Sequence, residues 1–134
     1  MHFGLARIAR AGRDITIVSA GQLVHRSLEA AEKLAAELCQ EGVDAAIVAD
    51  LEPAARRADI LSCSTASTVP LIEGGWLRPG AHLDLVGGFT PAMRECDDAA
   101  VRRARLFVDE ASVNVDLCGD LCDPIRRGVI PRSK

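Results

Sequence analysis

Two short apolar segments, each ending in small or hydroxyl-bearing residues, constrain the fold of this chain most. Ile60–Ser64 and His82–Val86 have the length of buried strands. Thr65–Thr68 follows the first segment and Gly87–Gly88 follows the second. Open α/β sheets bind ligands at the carboxyl ends of their parallel strands, and small residues there let a flat or phosphorylated ligand approach the backbone. The pattern therefore predicts a ligand crevice at this edge, with a cofactor as its natural occupant.

Strand and helix patterns alternate through the rest of the chain. Further strand patterns occupy Asp14–Ser19, Asp44–Val48 and Leu106–Asp109. Helix patterns run from the N-cap Ser27 to Gly42, over Glu52–Arg57 and over Asp97–Ala104. The connection 69–80 contains too many Pro and Gly residues for a full helix. This alternation predicts an α/β fold in which a parallel sheet with right-handed crossovers carries flanking helices.

The composition fits one such domain. A chain of 134 residues can enclose a single core, which must be built from Ala, Val, Ile and Leu because aromatic residues make up only 3%. The net charge of -3 leaves no basic surplus to neutralise phosphates, so nucleic acid is not an expected partner. No apolar run reaches the roughly 20 residues that span a bilayer. The first residues also lack a secretory segment, so we expect no membrane partner and a cytoplasmic location.

The cysteines predict neither a disulfide framework nor a metal site. The chain has five of them, which cannot all pair and which lie in unlike surroundings, so reduced thiols are expected. Cys118 and Cys122 are four positions apart with no His nearby in the sequence. That spacing is a poor match to zinc-ligand motifs.

Polar residues near the two central strands have structural as well as functional interpretations. His82 and Asp84 share a strand face but lie before its carboxyl end, which favours a structural role. Arg94 and Glu95 can form a solvated ion pair that opens a helix, which is the favoured interpretation, or can hold the loop of the crevice. For Thr65 the choice stays open between a hydroxyl that satisfies its own turn and a cofactor contact.

Longer motifs then give the chain a family resemblance. Ala58–Asp109 contains GGWLRPGAHLDLVGG, TPAMRE and RLFVD, with EAAEKLAAEL upstream and GDL at Gly119–Leu121. In these motifs the chain resembles the nicotinamide-binding domain of the ornithine cyclodeaminase and mu-crystallin family. The resemblance implies that residues 1–134 form a single, incomplete Rossmann-like domain, whose first strand and glycine-rich phosphate loop would precede Met1. It also implies that residues 110–134 lead back to the family's substrate and dimerisation domain.

The same resemblance implies a nicotinamide cofactor and a small substrate. Four residues match family positions that contact NAD(H) or NADP(H), namely Thr65, Val86, Gly87 and Gly88. The choice between NAD and NADP stays open, because the end of the second family strand reads Ser19–Ala20 instead of presenting an acid or Arg, and Arg26 is a candidate substitute. The implied substrate is a small imine or amino acid. A homodimer is implied only with the family's dimerisation domain present.

One departure from the family changes the expected reaction. The Asp that follows the double glycine in true ornithine cyclodeaminases is Phe89 here, and a phenyl ring cannot accept a proton. No catalytic residue is therefore assigned, and the resemblance implies NAD(P)H-dependent reduction of a cyclic imine or ketimine, or related amino-acid redox chemistry. Phe89 either shapes the pocket beside the nicotinamide or is a buried core residue. The alternatives are a non-catalytic fragment or binding module, and an ornithine cyclodeaminase, which converts ornithine to proline plus ammonia.

Overall fold

The fold is built on a small parallel sheet whose central strand is the first of the two predicted apolar segments. A computed structural model describes residues 17–18, 24–48 and 50–133. Its three strands lie in the order β1 (Ile17–Val18), β2 (Ile60–Cys63), β3 (His82–Leu85), and both pairings are parallel. The register sets Ile60 opposite His82 and Cys63 opposite Leu85. The parallel α/β architecture and both central strands are therefore confirmed.

The described part of the chain also contains five helices. They are α1 (Val24–Gln40), α2 (Leu51–Arg57), α3 (Asp98–Arg103), α4 (Ala111–Leu117) and α5 (Gly119–Arg126). None of these helices is long and apolar enough to cross a membrane.

Side-chain caps explain where two of the helices begin. The Asp97 carboxylate accepts a hydrogen bond from the Ala100 amide at 2.8 Å and so caps α3, at the residue where the predicted helix pattern begins. Asp50 caps α2 through the Glu52 amide at 3.3 Å. Pro53 lies in the first turn of α2, where its missing N–H costs little. The predicted extents of both helices agree with the structure.

Helix α1 begins earlier than predicted. Ser27 was expected to be its N-cap, but the helix starts at Val24 and Ser27 lies inside it. The prediction was wrong because extending a formed helix by one turn is favourable, and a Ser inside a helix costs only a fraction of a kcal/mol, about 0.5 relative to Ala. The carboxyl end agrees with the sequence, since Gly42 has a φ of 83° and follows the last helical residue closely.

Two predicted strands are absent from the described residues. Asp44–Val48 contains only an isolated bridge residue at Ala45, and Leu106–Asp109 contains no strand. Ile47, Val48 and Phe107 are exposed. An apolar segment becomes a strand only when another strand pairs with it, and the described part of β1 is only two residues long. Of the predicted strand Asp14–Ser19, only β1 falls within the described residues. Ser19–Ala20 lies outside them.

The core lies on one side of the sheet. Leu61 and Cys63 of β2 point into it, while Ile60 and Ser62 on the opposite face are exposed. The other buried core residues come from α2, the 69–80 connection, α3 and the loop before it, and the carboxyl-terminal tail. They include Ala55, Ile72, Cys96, Ala100, Val101 and Ile130. The connection 69–80 forms no helix, as predicted, and Trp76 and Leu77 pack against the core.

The tail after Glu110 packs onto this same body. Its second helix, α5, contacts both α3 and α4, and Ile130 is buried in the core. The packing matters for the site, because the start of α5 carries Asp120, a buried carboxylate that reaches back toward the strand ends.

Candidate functional site

The carboxyl ends of β2 and β3 meet, and the residues that follow them lie side by side. The Val86 amide donates to the Cys63 carbonyl at 2.8 Å, which extends the parallel pairing by one step. Beyond this point Gly87 contacts the Thr65 backbone so closely that a Cβ at Gly87 would lie 1.8 Å from the Thr65 carbonyl oxygen. Only glycine fits there. The structure thus brings the predicted residues Thr65 and Gly87 together at one edge of the sheet.

A buried glutamate joins these two strand ends. The Glu95 carboxylate accepts from the Thr65 amide through Oε1 at 2.6 Å and from the Gly87 amide through Oε2 at 2.7 Å. Glu95 is 0% exposed. The favoured interpretation of Arg94 and Glu95 as a solvated pair was therefore wrong, because both side chains are buried. The alternative, that they hold the loop of the crevice, describes what Glu95 does.

A second buried carboxylate fixes the segment that carries Glu95. Asp120 Oδ1 accepts from the amides of Glu95 at 2.9 Å and Cys96 at 3.0 Å, and Asp120 is 1% exposed. Its other oxygen, Oδ2, has no hydrogen-bond partner in the described part of the chain. Burial raises the pKa of the Asp120 carboxyl, and the two amide hydrogen bonds oppose that effect. A Cβ at Gly88 would lie 2.4 Å from Oδ2, so this glycine is also required by packing.

Arg94 ties the same segment to two helices. Its guanidinium donates to Asp123 of α5 at 2.7 Å, to Asp98 of α3 at 3.1 Å and to the Cys96 carbonyl at 3.0 Å. Hydrogen bonds from Arg127 and then from Arg94 lower the pKa of the Asp98 carboxyl to about 2. The two hydrogen bonds from the Thr65 and Gly87 amides to the Glu95 carboxylate are here called the Glu95 clamp. The segment that carries this clamp is thus anchored at several points in the body of the domain.

The solvent side of this edge carries small and apolar side chains. Ser64, Ala66 and Thr68 are exposed on the first loop, while Val86 is 59% exposed and Phe89 is 68% exposed on the second. The interpretation of Phe89 as a buried core residue is therefore wrong. A groove of about 1030 Å³, here called the outer groove, is lined by β3, by residues 104–109 and by the turn at Gly88 and Phe89.

Several other candidates turn out to have local roles. The Thr65 hydroxyl accepts from the Ser67 amide at 3.3 Å, which is the turn interaction that the sequence left open. Asp84 accepts from the Ser62 hydroxyl at 2.9 Å across the two strands, in line with a structural role. Burial raises the pKa of the Cys63 thiol to about 12, so this cysteine is not a nucleophile near neutral pH.

The sequence patterns did not predict the role of Asp120 in this site. Its partners are backbone amides 24 and 25 positions away, and no local spacing rule connects a carboxylate to such partners. The GDL motif at Gly119–Leu121 contains Asp120, but the motif alone does not indicate that Asp120 contacts the amides of Glu95 and Cys96.

The exposed surface at this edge suits a flat ligand better than a phosphate group. Thr65, Gly87 and Gly88 are buried, because the two glycines pack against the Thr65 backbone, Glu95 and Asp120. The open surface therefore consists of the small side chains of the first loop together with Val86 and Phe89. The amides of Thr65 and Gly87 are not free to bind phosphate, because Glu95 occupies both. The sequence also contains no GxGxxG-like phosphate loop.

The parallel sheet and this edge define a Rossmann-like α/β domain. The family model of the ornithine cyclodeaminase/mu-crystallin family matches residues 5–121, and the chain belongs to this family.

Relatives within the family give the resemblance more detail. Protein SAR DEFICIENT 4 of Arabidopsis thaliana is 51% identical over 75 residues, covering 56% of this chain and 23% of that protein. Delta(1)-pyrroline-2-carboxylate reductase of Paracoccus denitrificans is 47% identical over 87 residues, covering 65% of this chain and 28% of that protein. Among solved structures, Thermococcus litoralis Delta(1)-pyrroline-2-carboxylate reductase in complex with NADH and L-proline superposes with a TM-score of 0.72 at 30% identity. The match covers 81% of this chain and 33% of that one. This chain therefore spans no more than a third of the length of these proteins.

Proposed function

We propose that this chain is the NAD(H)-binding part of a reductase that acts on a small cyclic imine such as Δ1-pyrroline-2-carboxylate. The observation that carries the proposal is the meeting of Thr65 and Gly87 at one sheet edge, with Val86 and Phe89 exposed beside them. Open α/β sheets bind cofactors at this edge. The reductase that resembles this chain in structure binds NADH, which supports NAD(H) over NADP(H).

Within that function the chain would orient the cofactor and keep water from one face of its ring. Val86 and Phe89 supply apolar surface, while Thr65, Gly87 and Gly88 are buried behind it and hold the two loops together. The cofactor, when bound, supplies the hydride. In the proposed whole protein, residues 1–134 form one cofactor domain and residues 110–134 lead toward the substrate and dimerisation domain.

Phe89 favours reduction over cyclodeamination. The family resemblance implies that cyclodeamination uses an Asp after the double glycine, and the phenyl ring of Phe89 at that position cannot accept or donate a proton. Reduction of an imine places a smaller demand on this position, because hydride transfer and substrate orientation do most of the work. We accordingly propose no catalytic residue within this chain.

The proposal can be tested by binding before activity. We expect the purified chain to enhance NADH fluorescence on titration, and to do so more strongly than with NADPH. Val86→Asp, which places a charge at the exposed apolar contact, should weaken NADH binding, whereas Val113→Asp on the exposed side of α4 should not. Absence of NADH binding at millimolar concentration would reject the proposal. Ammonia release from ornithine would reject the reductase assignment in favour of a cyclodeaminase.

One observation favours a second candidate, a binding module without turnover. The amides of Thr65 and Gly87 are already satisfied by Glu95, so neither is free to bind a phosphate of a dinucleotide at this edge. This candidate predicts weak NADH binding together with no reduction of Δ1-pyrroline-2-carboxylate. NADH oxidation that depends on that imine would exclude it.

A further inference from the structure

We infer that Glu95 is a positioning residue for the cofactor edge, and that its carboxylate holds the two strand ends in the arrangement that accepts the nicotinamide. The inference rests on the proposed function and deepens it. Glu95 does not reach solvent and so does not touch the cofactor itself. Its effect is exerted through the two loops that it joins.

The geometry of the clamp requires a carboxylate. Each of its two oxygens accepts from a different strand end, at 2.6 Å to the Thr65 amide and 2.7 Å to the Gly87 amide. Hydrogen bonds from backbone N–H groups to an ionised acceptor are short and strong. An amide side chain of equal size would offer one oxygen and one NH₂ group, so one of the two backbone N–H groups would face a donor. Glutamine is therefore the variant that keeps the shape and breaks the clamp.

The surroundings leave Glu95 no other position. Its own amide donates to Asp120 Oδ1, and its carbonyl accepts from the amides of Leu71 at 2.9 Å and Ile72 at 3.0 Å. The backbone of Glu95 is thus fixed on both sides before its side chain reaches the strand ends. A residue fixed in this way transmits a defined spacing to Thr65 and Gly87, whose loops carry the exposed residues that the proposed function assigns to the cofactor.

The local contacts explain why cofactor affinity should respond to this residue. The loop after β2 and the loop after β3 make backbone contact only because Gly87 has no side chain, and Glu95 completes that contact. With one amide left unpaired and buried, the two loops would separate or draw in water. The exposed residues Ser64, Val86 and Phe89 belong to these loops, so their spacing would change with them.

The experiment compares Glu95→Gln with Glu73→Gln, an exposed glutamate in the 69–80 connection, in the full chain. Two quantities are measured, the NADH dissociation constant by fluorescence and the amide proton resonances of Thr65 and Gly87 by NMR. In Glu95→Gln we expect at least one of these two resonances to move upfield, and the dissociation constant to rise about tenfold. Glu73→Gln should leave both unchanged. The resonances report the clamp itself and do not depend on activity.

The outcomes separate this inference from the proposed function. NADH binding by the unaltered chain and equally by Glu95→Gln overturns the positioning role alone. No NADH binding by the unaltered chain overturns the proposed function, and the positioning role with it. If Glu95→Gln does not fold, Glu95→Asp takes its place, because the shorter side chain keeps the charge but does not span both amides. An NADH dissociation constant that is unchanged in Glu95→Asp then overturns the inference.

Discussion

The residues at the carboxyl end of β3 and the residues along its outer edge differ in how firmly they are fixed. At its carboxyl end, Gly87 and Gly88 are fixed by backbone contact, by the Glu95 clamp and by Asp120. Along its outer edge, residues 104–109 line a groove without pairing with the strand, and Phe107 is 76% exposed. The sequence patterns of both regions predict ordered structure. The difference shows that order here follows from buried carboxylates and glycine contacts between distant segments, and not from the apolar character of a segment.

The largest loss of stability should come from adding a single methyl group at Gly87, at the carboxyl end of β3. Gly87→Ala would place a Cβ 1.8 Å from the Thr65 carbonyl oxygen and 2.4 Å from Glu95 Oε1. We expect the free energy of unfolding to fall by about 3 kcal/mol, because the contact is with backbone that cannot easily move. Chemical denaturation measures it. Gly75→Ala is the matched control, since nothing lies within 4 Å of its Cβ, and equal losses in the two variants would contradict the account.

Removal of the second carboxylate should have the next largest effect. Asp120→Ala leaves the amides of Glu95 and Cys96 buried without their partner, which should lower the free energy of unfolding by about 2 kcal/mol. Asp59→Ala removes an exposed carboxylate that pairs with Arg78, and it should cost less than about 1 kcal/mol. Thermal and denaturant unfolding of both variants would test this ordering. A smaller loss for Asp120→Ala than for Asp59→Ala would show that the network is not stabilising.

Acid should loosen the anchor of this network through Asp98. The pKa of Asp98 is lowered from 3.8 to about 2 in the folded protein, mainly by Arg127. A depressed carboxyl pKa adds stability that is complete above the unfolded value and is lost as the pH falls through the folded value. Stability should therefore decrease between about pH 4 and pH 2 by on the order of 1 kcal/mol from this group.

The variant Asp98→Asn isolates that contribution. Its difference in melting temperature from the unaltered chain should be largest above pH 4 and should shrink toward pH 2, because the unaltered carboxyl is then protonated as well. Asp120 contributes with the opposite sign, since its pKa is raised, but it is common to both proteins and cancels in the comparison. A difference that is constant with pH would remove Asp98 from the explanation.

The smallest effect is expected at the outer edge of β3. Phe107→Ser should change the free energy of unfolding by less than about 0.5 kcal/mol, because the ring is mostly exposed and its described contact is the Arg105 guanidinium, 5.0 Å from the ring centre. Denaturant unfolding measures this. A loss above 2 kcal/mol would mean that residues 104–109 form a buried strand. The contrast between the carboxyl end of β3 and its outer edge would then fail.

The sequence predicted what depends on neighbouring residues. The strands at Ile60 and His82, the capped helices α2 and α3 and the helix-free connection 69–80 follow from local patterns of apolar residues, caps and glycines. The meeting of Thr65 with Gly87 follows as well, because parallel strands end at the same edge. These predictions needed no knowledge of distant contacts.

What the sequence could not predict depends on partners far along the chain. The segments 44–48 and 106–109 have strand-like sequences, but no described strand pairs with either of them. The burial of Glu95 depends on amides 8 and 30 positions away, so its charge alone suggested the surface. Family resemblance marked the TPAMRE and GDL segments, and only the structure connected them through Asp120.

The central claim is that the carboxyl end of β2 and β3, and not the outer groove, binds a nicotinamide cofactor. Mapping NADH-induced changes in the amide resonances of the isotope-labelled chain tests it most directly. We expect the largest changes on Ser64, Ala66 and Thr68, which are exposed at the strand ends and do not line the outer groove, with Phe107 and Val108 unaffected. Changes confined to Phe107 and Val108, or no changes at millimolar NADH, would contradict it.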